Sequence, residues 1–168
     1  MKLVFYSGGY PQENQKIDTK LIKIFSKKDL KLTFIPSCSY QSEEEYIELI
    51  DQYTPYGVKK IIKLNIDAPY SNTLKRIAFQ SDIIHLGGGN TFYFLKHLKR
   101  TGLLKELKQW VEDGGILTGL SAGAILMTKN INTAGFPEFD CDDNEENIKN
   151  FNAMGLVDFE VFPHYKNS

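Results

Sequence analysis

Short apolar runs alternate with longer segments of helical spacing along most of the chain, and this alternation is what most constrains the fold. The apolar runs predict five strands, at 2–9, 30–37, 58–66, 82–89 and 116–120. The other segments predict five helices, at 19–28, 42–53, 71–81, 90–102 and 103–115. Ser42 and Glu45 have the spacing of a capping box at the start of the second helix. Strands separated by helices of this size form βαβ units, so the sequence predicts an α/β fold with a mostly parallel sheet and helices on both faces.

The size and net charge of the chain limit the number of domains and the kinds of partner it can have. With 168 residues, 42% of them hydrophobic, the chain can bury one good core but not two, so we expect a single domain over 1–168. The net charge of −1 provides no bulk attraction for a polyanion. This balance argues against nucleic acid as a partner.

The cysteine and hydropathy patterns indicate the compartment. Cys38 and Cys141 lie far apart and lack the CxxC spacing, which predicts neither a disulfide nor a zinc site and indicates a reducing cytosol. No signal-peptide pattern opens the chain, and no apolar stretch approaches the roughly 18 to 20 residues of a membrane span. We therefore expect a cytoplasmic domain with no membrane partner, no metal and no other cofactor.

Two predicted strand ends carry glycine patterns, and the carboxyl ends of strands are where open α/β sheets bind ligands. The first is GGGN, Gly87 to Asn90, which leads directly into a predicted helix. Glycines there let backbone N–H groups approach a ligand, and the helix N-terminus favours negative charge. The same residues also fit a tight strand-to-helix turn with Asn90 as its N-cap. The pattern alone leaves both interpretations open.

The second pattern is GLSAG, in which Ser121 lies between Gly119 and Gly123. It fits the G-x-S-x-G nucleophile elbow, a sharp turn between a strand and a helix that exposes a serine hydroxyl. The N–H of the following residue and the helix dipole then face any oxyanion that forms. A bare pattern with three fixed positions is weak, but the predicted strand before it and helix after it favour a nucleophile over a tight turn that happens to contain serine.

A serine nucleophile needs a base, and the chain has three histidines. His85 lies inside a predicted strand and is expected in the core, whereas His97 lies in a lysine-rich helix and is expected in solvent. His164 ends a sixth apolar run, FEVFPHY, which predicts a strand end on the same edge as Ser121. By pattern alone His164 is equally a loop histidine or a general base.

Three segments in order, GGGNTFYFL, GLSAGAI and FPHY, resemble the peptidase E family of serine peptidases, which includes the aspartyl dipeptidases. The resemblance runs over the whole chain. It implies a flavodoxin-like, class I glutaminase-like α/β fold and a cytosolic enzyme that removes an N-terminal aspartate from a dipeptide or short peptide.

The resemblance also implies roles for individual residues. Ser121 matches the family's nucleophile and His164 its base, while the backbone N–H groups of Gly89 and Ala122 match its oxyanion hole. The implied reaction is acyl transfer through an acyl-enzyme. The implied partner is a small peptide substrate, and the sequence leaves the oligomeric state open.

The sequence departs from the family pattern at the acid that orients the histidine. In the family this acid is a glutamate well downstream, whereas this sequence ends at Ser168, so we expect that acid and the last sheet-covering elements to be missing from these 168 residues. Four local carboxylates are candidates to replace it: Asp140, Asp142, Asp158 and Glu160.

Two further departures concern the substrate. The family's Asn-Asp pair, associated with the substrate amine, aligns with Gly135 and Phe136, and Glu138 is close but displaced. The two arginines, Arg76 and Arg100, lie on predicted helices, where we do not expect them to bind a substrate carboxylate.

The alternative to a peptidase is a catalytically impaired or non-catalytic relative that acts as a small-molecule or protein-binding α/β domain. A glutaminase-type amidotransferase is disfavoured, because that class needs a cysteine at the elbow, where this chain has Ser121.

Overall fold

The structure, a computed structural model, describes residues 1–26, 29–137 and 141–165. Its strands are β1 (Lys2–Tyr6), β2 (Leu30–Ile35), β3 (Val58–Lys63), β4 (Ile83–Leu86) and β5 (Ile116–Leu120). Its helices are α1 (Pro11–Ile22), α2 (Glu43–Tyr53), α3 (Asn72–Ala78), α4 (Thr91–Thr101), α5 (Leu103–Glu112) and α6 (Ala122–Ile125). Two 3₁₀ turns cover Thr54–Tyr56 and Asn132–Gly135. No described helix is long and apolar enough to cross a bilayer.

The five strands form one sheet in the order β1-β5-β4-β2-β3, and every neighbouring pair is parallel. This confirms the predicted α/β fold with a parallel sheet. β4 and β5 are neighbours at the centre, where Leu86 pairs with Gly119. The segments that follow these two strands therefore leave the sheet side by side at its carboxyl edge, as predicted for the two glycine patterns.

Apolar side chains form one cluster on each face of the sheet, which confirms helices on both faces. One cluster packs Leu21 of α1 and Leu49 of α2 against the sheet. The other packs α4, α5 and α6 against the opposite face, with Leu98, Leu107 and Ala124 among its buried members. Successive strand residues alternate between the clusters because side chains alternate across a strand.

Three predicted element assignments are wrong. The first helix is α1 at Pro11–Ile22 rather than 19–28, because Pro11 suits the first helical turn and starts the helix earlier. The sixth apolar run forms no strand in the described chain, where the only pairing outside the sheet is an antiparallel bridge between Asn130 and Asn152. Ser42 and Glu45 form no capping box, since the Ser42 hydroxyl donates to the Ser39 carbonyl.

Two of the three histidines are buried in the fold. His85 on β4 is 3% exposed, as expected for a core histidine, and its Nδ1 lies 2.7 Å from the Thr118 hydroxyl of β5. Burial lowers the pKa of His85 to about 3. The expectation that His97 is solvated is wrong: it is 9% exposed, because its ring packs on that of Tyr93, with the ring centroids 4.3 Å apart.

Candidate active site

Ser121 occupies a strained turn between β5 and α6. Its backbone has φ 49° and ψ −108°, outside the regions that residues with a side chain ordinarily adopt, which confirms the strained conformation expected of an elbow. A Cβ on Gly119 would collide with the backbone of Gly123, and a Cβ on Gly123 would collide with the Leu86 carbonyl. Both flanking glycines are therefore needed for the close approach of β5, α6 and the end of β4.

His164 faces Ser121 from a turn rather than from a strand end. The Ser121 Oγ and His164 Nε2 atoms lie 2.8 Å apart, within hydrogen-bond distance. The His164 N–H donates to the Ser7 hydroxyl in the loop after β1, at 2.8 Å. A Cβ on Gly8 would lie 2.9 Å from His164 Nδ1, so the loop after β1 packs directly against the imidazole.

None of the described carboxylates accepts a hydrogen bond from His164 Nδ1. Asp142 Oδ2 instead accepts from the Thr91 N–H at the start of α4, at 2.8 Å. Asp158 and Glu160 are exposed and make no hydrogen bond to His164. Asp140 and Glu138 lie outside the described residues. Ser121 and His164 are therefore in contact, but no described carboxylate completes a catalytic triad with them.

Two backbone N–H groups beside the serine are available to a ligand. Ser121 and Gly123 use their N–H groups on the carbonyls of Tyr6 and Gly87. Between them Ala122, the first residue of α6, has no acceptor for its N–H in the described part of the chain, and neither has Gly89. Gly89 has φ 105°, and a Cβ there would collide with the Ser37 hydroxyl, so this position needs glycine.

Two cavities open on either side of the Ser121–His164 pair. The first, about 440 Å³, extends toward α2 and is lined in part by Tyr40, Glu45 and Tyr93. The second, about 330 Å³, extends toward the 3₁₀ turn and is lined in part by Thr133 and Phe162. Gly89, Asn90, Ser121 and His164 line both cavities, which places the pair at their junction.

Carboxylates line both cavities, and no lysine or arginine is among their described lining residues. Glu45, Glu145 and Glu146 line the first cavity, and Asp142 lines the second. Lys96 forms an ion pair with Glu146 from outside the cavity. Arg76 and Arg100 line neither cavity, as expected. The site therefore offers negative potential and no described cation for a substrate carboxylate.

Sequence reasoning missed Glu45, Ser7 and Gly8. Glu45 Oε1 accepts from the Gly88 N–H at 2.7 Å, and burial raises the pKa of its carboxyl. The capping-box spacing hid this role, because the pattern supplied a local partner for Glu45. A signal for the other two was present: SGG at 7–9 is a third glycine pattern after a strand, and β1 pairs with β5.

Comparisons with known proteins identify the family of this chain. The model of peptidase family S51 matches residues 3–168. An uncharacterized peptidase of Listeria innocua is 34% identical over 81% of this chain and 65% of its own length. A peptidase E of Salmonella arizonae is 34% identical over 80% of this chain and 55% of its own length. The chain thus spans a little under two thirds of the relative from Listeria innocua.

A crystal structure supports the same assignment. A protein from Listeria monocytogenes, described as a candidate peptidase E, superposes with a TM-score of 0.77 at 28% identity, over 100% of this chain and 81% of its own. A peptidase from an actinobacterium shares the fold, with a TM-score of 0.67 at 19% identity over 96% of this chain and 67% of its own. The resemblance inferred from the sequence motifs is therefore confirmed, and the chain belongs to peptidase family S51.

Proposed function

We propose that the chain is a serine peptidase of the peptidase E type, which hydrolyses dipeptides or short peptides through an acyl-enzyme on Ser121. The observation that carries the proposal is the 2.8 Å contact between Ser121 Oγ and His164 Nε2, made at a strained turn. A nucleophile within hydrogen-bond reach of its base is the arrangement that activates a serine hydroxyl.

The mechanism follows from the atoms at the junction of the two cavities. Ser121 Oγ attacks the peptide carbonyl while His164 Nε2 takes its proton, and His164 then gives that proton to the leaving amine. The N–H groups of Gly89 and Ala122 stabilise the oxyanion, each by on the order of 3 kcal/mol. Water, deprotonated by His164, then attacks the ester carbonyl and releases Ser121.

The substrate class follows from charge. The carboxylates around the two cavities attract the free ammonium of a short peptide. They repel any substrate carboxylate beyond the one at the peptide's C-terminus. The family resemblance implies an N-terminal aspartate, which would bring such a carboxylate close to Glu45 or Asp142. We therefore expect Ala-Leu to be hydrolysed with a higher kcat/KM than Asp-Leu.

The test combines covalent labelling with hydrolysis. A fluorophosphonate, which phosphonylates activated serines, should label the chain, and mass spectrometry should locate the label on Ser121. Ser121→Ala should fold as stably as the parent, because its hydroxyl contacts His164 in an open cavity, and should lose both labelling and dipeptide hydrolysis. Ser71→Ala, at the start of α3, is the matched control and should keep both activities.

One observation favours the second candidate, a non-catalytic relative that binds a small molecule or protein. His164 Nδ1 has no carboxylate partner in the described part of the chain, and loss of the acid from a triad costs about 10⁴-fold in rate. A parent that neither labels nor hydrolyses either dipeptide would reject the peptidase and favour this candidate, whereas labelling that persists in Ser121→Ala would reject Ser121 as the nucleophile.

A further inference from the structure

The loop that provides one oxyanion donor consists of three consecutive glycines, Gly87 to Gly89, and glycine restrains its own backbone less than any other residue. Partners outside the loop must therefore fix its peptide planes. The Gly87 N–H donates to the Ile35 carbonyl at 2.9 Å, and the Gly87 carbonyl accepts from the Gly123 N–H at 3.1 Å. These contacts hold the first glycine against β2 and α6.

The second glycine is held by a side chain. Glu45 extends from the first turn of α2, and its Oε1 accepts from the Gly88 N–H at 2.7 Å. A Cβ on Gly87 would lie 2.8 Å from both Glu45 carboxylate oxygens, so the carboxylate lies tight against the loop. A charge-assisted bond of this kind is stronger than one to a neutral acceptor.

The third glycine has no such restraint on its N–H. The orientation of the Gly89 N–H depends on the peptide between Gly88 and Gly89, which follows the one that Glu45 holds. The peptide between Gly87 and Gly88 has two anchors, the Gly123 N–H on its carbonyl and Glu45 on its N–H. Without the Glu45 bond it can pivot about the longer Gly123 bond, and the next peptide would turn with it. The Gly89 donor would then miss the position where negative charge develops.

We infer that Glu45 is a positioning residue, which holds the glycine loop so that the Gly89 N–H points at the oxyanion. The inference rests on the proposed peptidase function and assigns Glu45 no contact with the reacting atoms. The positioning role belongs to Glu45 and not to Glu44. Glu44 precedes it on the same helix, but is exposed and does not line the first cavity.

The test uses inactivation by an uncharged fluorophosphonate, so that removing the Glu45 charge does not alter attraction of the reagent. Ser121 Oγ attacks phosphorus, fluoride leaves, His164 takes the proton, and the negative phosphoryl oxygen needs the same two N–H donors. We expect Glu45→Ala to lower the maximal inactivation rate constant about 10-fold or more, while the half-saturating reagent concentration changes little. Glu45→Gln should stay within about threefold of the parent, because its amide oxygen accepts the same bond.

Glu44→Ala is the matched control and should inactivate at the parent's rate. Should Glu45→Ala not fold, Glu45→Asp replaces it, since the shorter side chain withdraws the carboxylate from Gly88 and should slow inactivation similarly. Parental rates in the Ala or Asp variant, or a Gln variant as slow as the Ala variant, would overturn the positioning role while Ser121 labelling of the parent stands. A parent that is not labelled at Ser121 would instead overturn the peptidase proposal itself.

Discussion

Ser121 and His164 both have positive φ angles, 49° and 58°, and they face each other across the junction of the two cavities. Positive φ costs a residue with a side chain about 1–3 kcal/mol, which the surrounding structure must offset. For Ser121 the offset comes from the packing of β5 and α6 through Gly119 and Gly123. For His164 it comes from the loop after β1, through the Ser7 hydroxyl and the close contact of Gly8.

Gly8→Ala tests the contact between the loop after β1 and the His164 imidazole. Its Cβ would lie 2.9 Å from His164 Nδ1, so the imidazole must move away, and a shift of about 1 Å in a catalytic group costs on the order of 10²-fold in rate. We expect Gly8→Ala to slow fluorophosphonate labelling of Ser121 by about that factor.

Gly57→Ala controls for backbone strain in this comparison. Gly57 also has a positive φ, 88°, but nothing lies within 4 Å of its added Cβ. It should lose about 1 kcal/mol of stability and label at the parent's rate. Equal labelling of the Gly8 and Gly57 variants would show that Gly8 does not position His164.

At the scale of elements, the sequence predicts what depends on periodicity and misses what depends on tertiary contact. The five strands and their shared carboxyl edge follow from the alternation of apolar runs and helices, and the structure confirms them. The sixth run, FEVFPHY, has strand-like residues but no strand partner in the described chain, and pairing is not visible in a single segment. Glu45 illustrates the same limit, because its partner Gly88 is distant in sequence and its local spacing favoured a cap.

The start of α4 joins the glycine loop to the acidic segment 141–147, four residues of which line the cavities. One of the two interpretations of the GGGN pattern makes Asn90 an N-cap, and the structure shows that cap: Asn90 Oδ1 accepts from the Tyr93 N–H at 2.9 Å. Its Nδ2 also donates to the Asp143 carbonyl at 2.9 Å. Together with the bond from the Thr91 N–H to Asp142, this tethers the acidic segment to α4.

Asn90→Ala removes both the cap and one tether. We expect about 1 kcal/mol of lost stability in urea unfolding, and slower Ser121 labelling because the helix start adjoins Gly89. Ser71→Ala removes the corresponding cap of α3, where the serine hydroxyl accepts from the Leu74 N–H, far from the site. Ser71→Ala should lose similar stability and label at the parent's rate. Slow labelling in both variants would mean that lost global stability, and not the position of Asn90, slows the reaction.

At the scale of the whole molecule, the sheet separates two apolar clusters, and one of its central strands carries a buried histidine. The His85 ring lies near the aromatic rings of Tyr6, Phe34 and Tyr53, with centroids 6.0, 6.2 and 6.4 Å away. Asp18 is buried nearby and accepts from the Tyr6 hydroxyl at 2.6 Å. Burial raises the pKa of the Asp18 carboxyl, whereas it lowers that of His85 to about 3.

His85 should therefore make the free energy of unfolding fall with acidification. The unfolded chain protonates this histidine near its ordinary pKa of about 6.5, while the folded state does not until about pH 3. The stabilisation is complete above about pH 6.5 and is lost as the pH falls, at up to about 1.4 kcal/mol per pH unit. The raised pKa of Asp18 acts in the opposite direction, because the folded state binds that proton more tightly.

His85→Gln separates the two effects, because Asp18 is present in parent and variant. Glutamine does not titrate and can still accept from the Thr118 hydroxyl, so the variant keeps a polar partner on β5. Urea unfolding at pH 7, 6 and 5 should show the parent losing about 2 kcal/mol more than the variant across this range, whatever their difference at pH 7. Parallel pH profiles would mean that the folded core protonates His85 as readily as water does, and that burial between the two clusters leaves this histidine free to titrate.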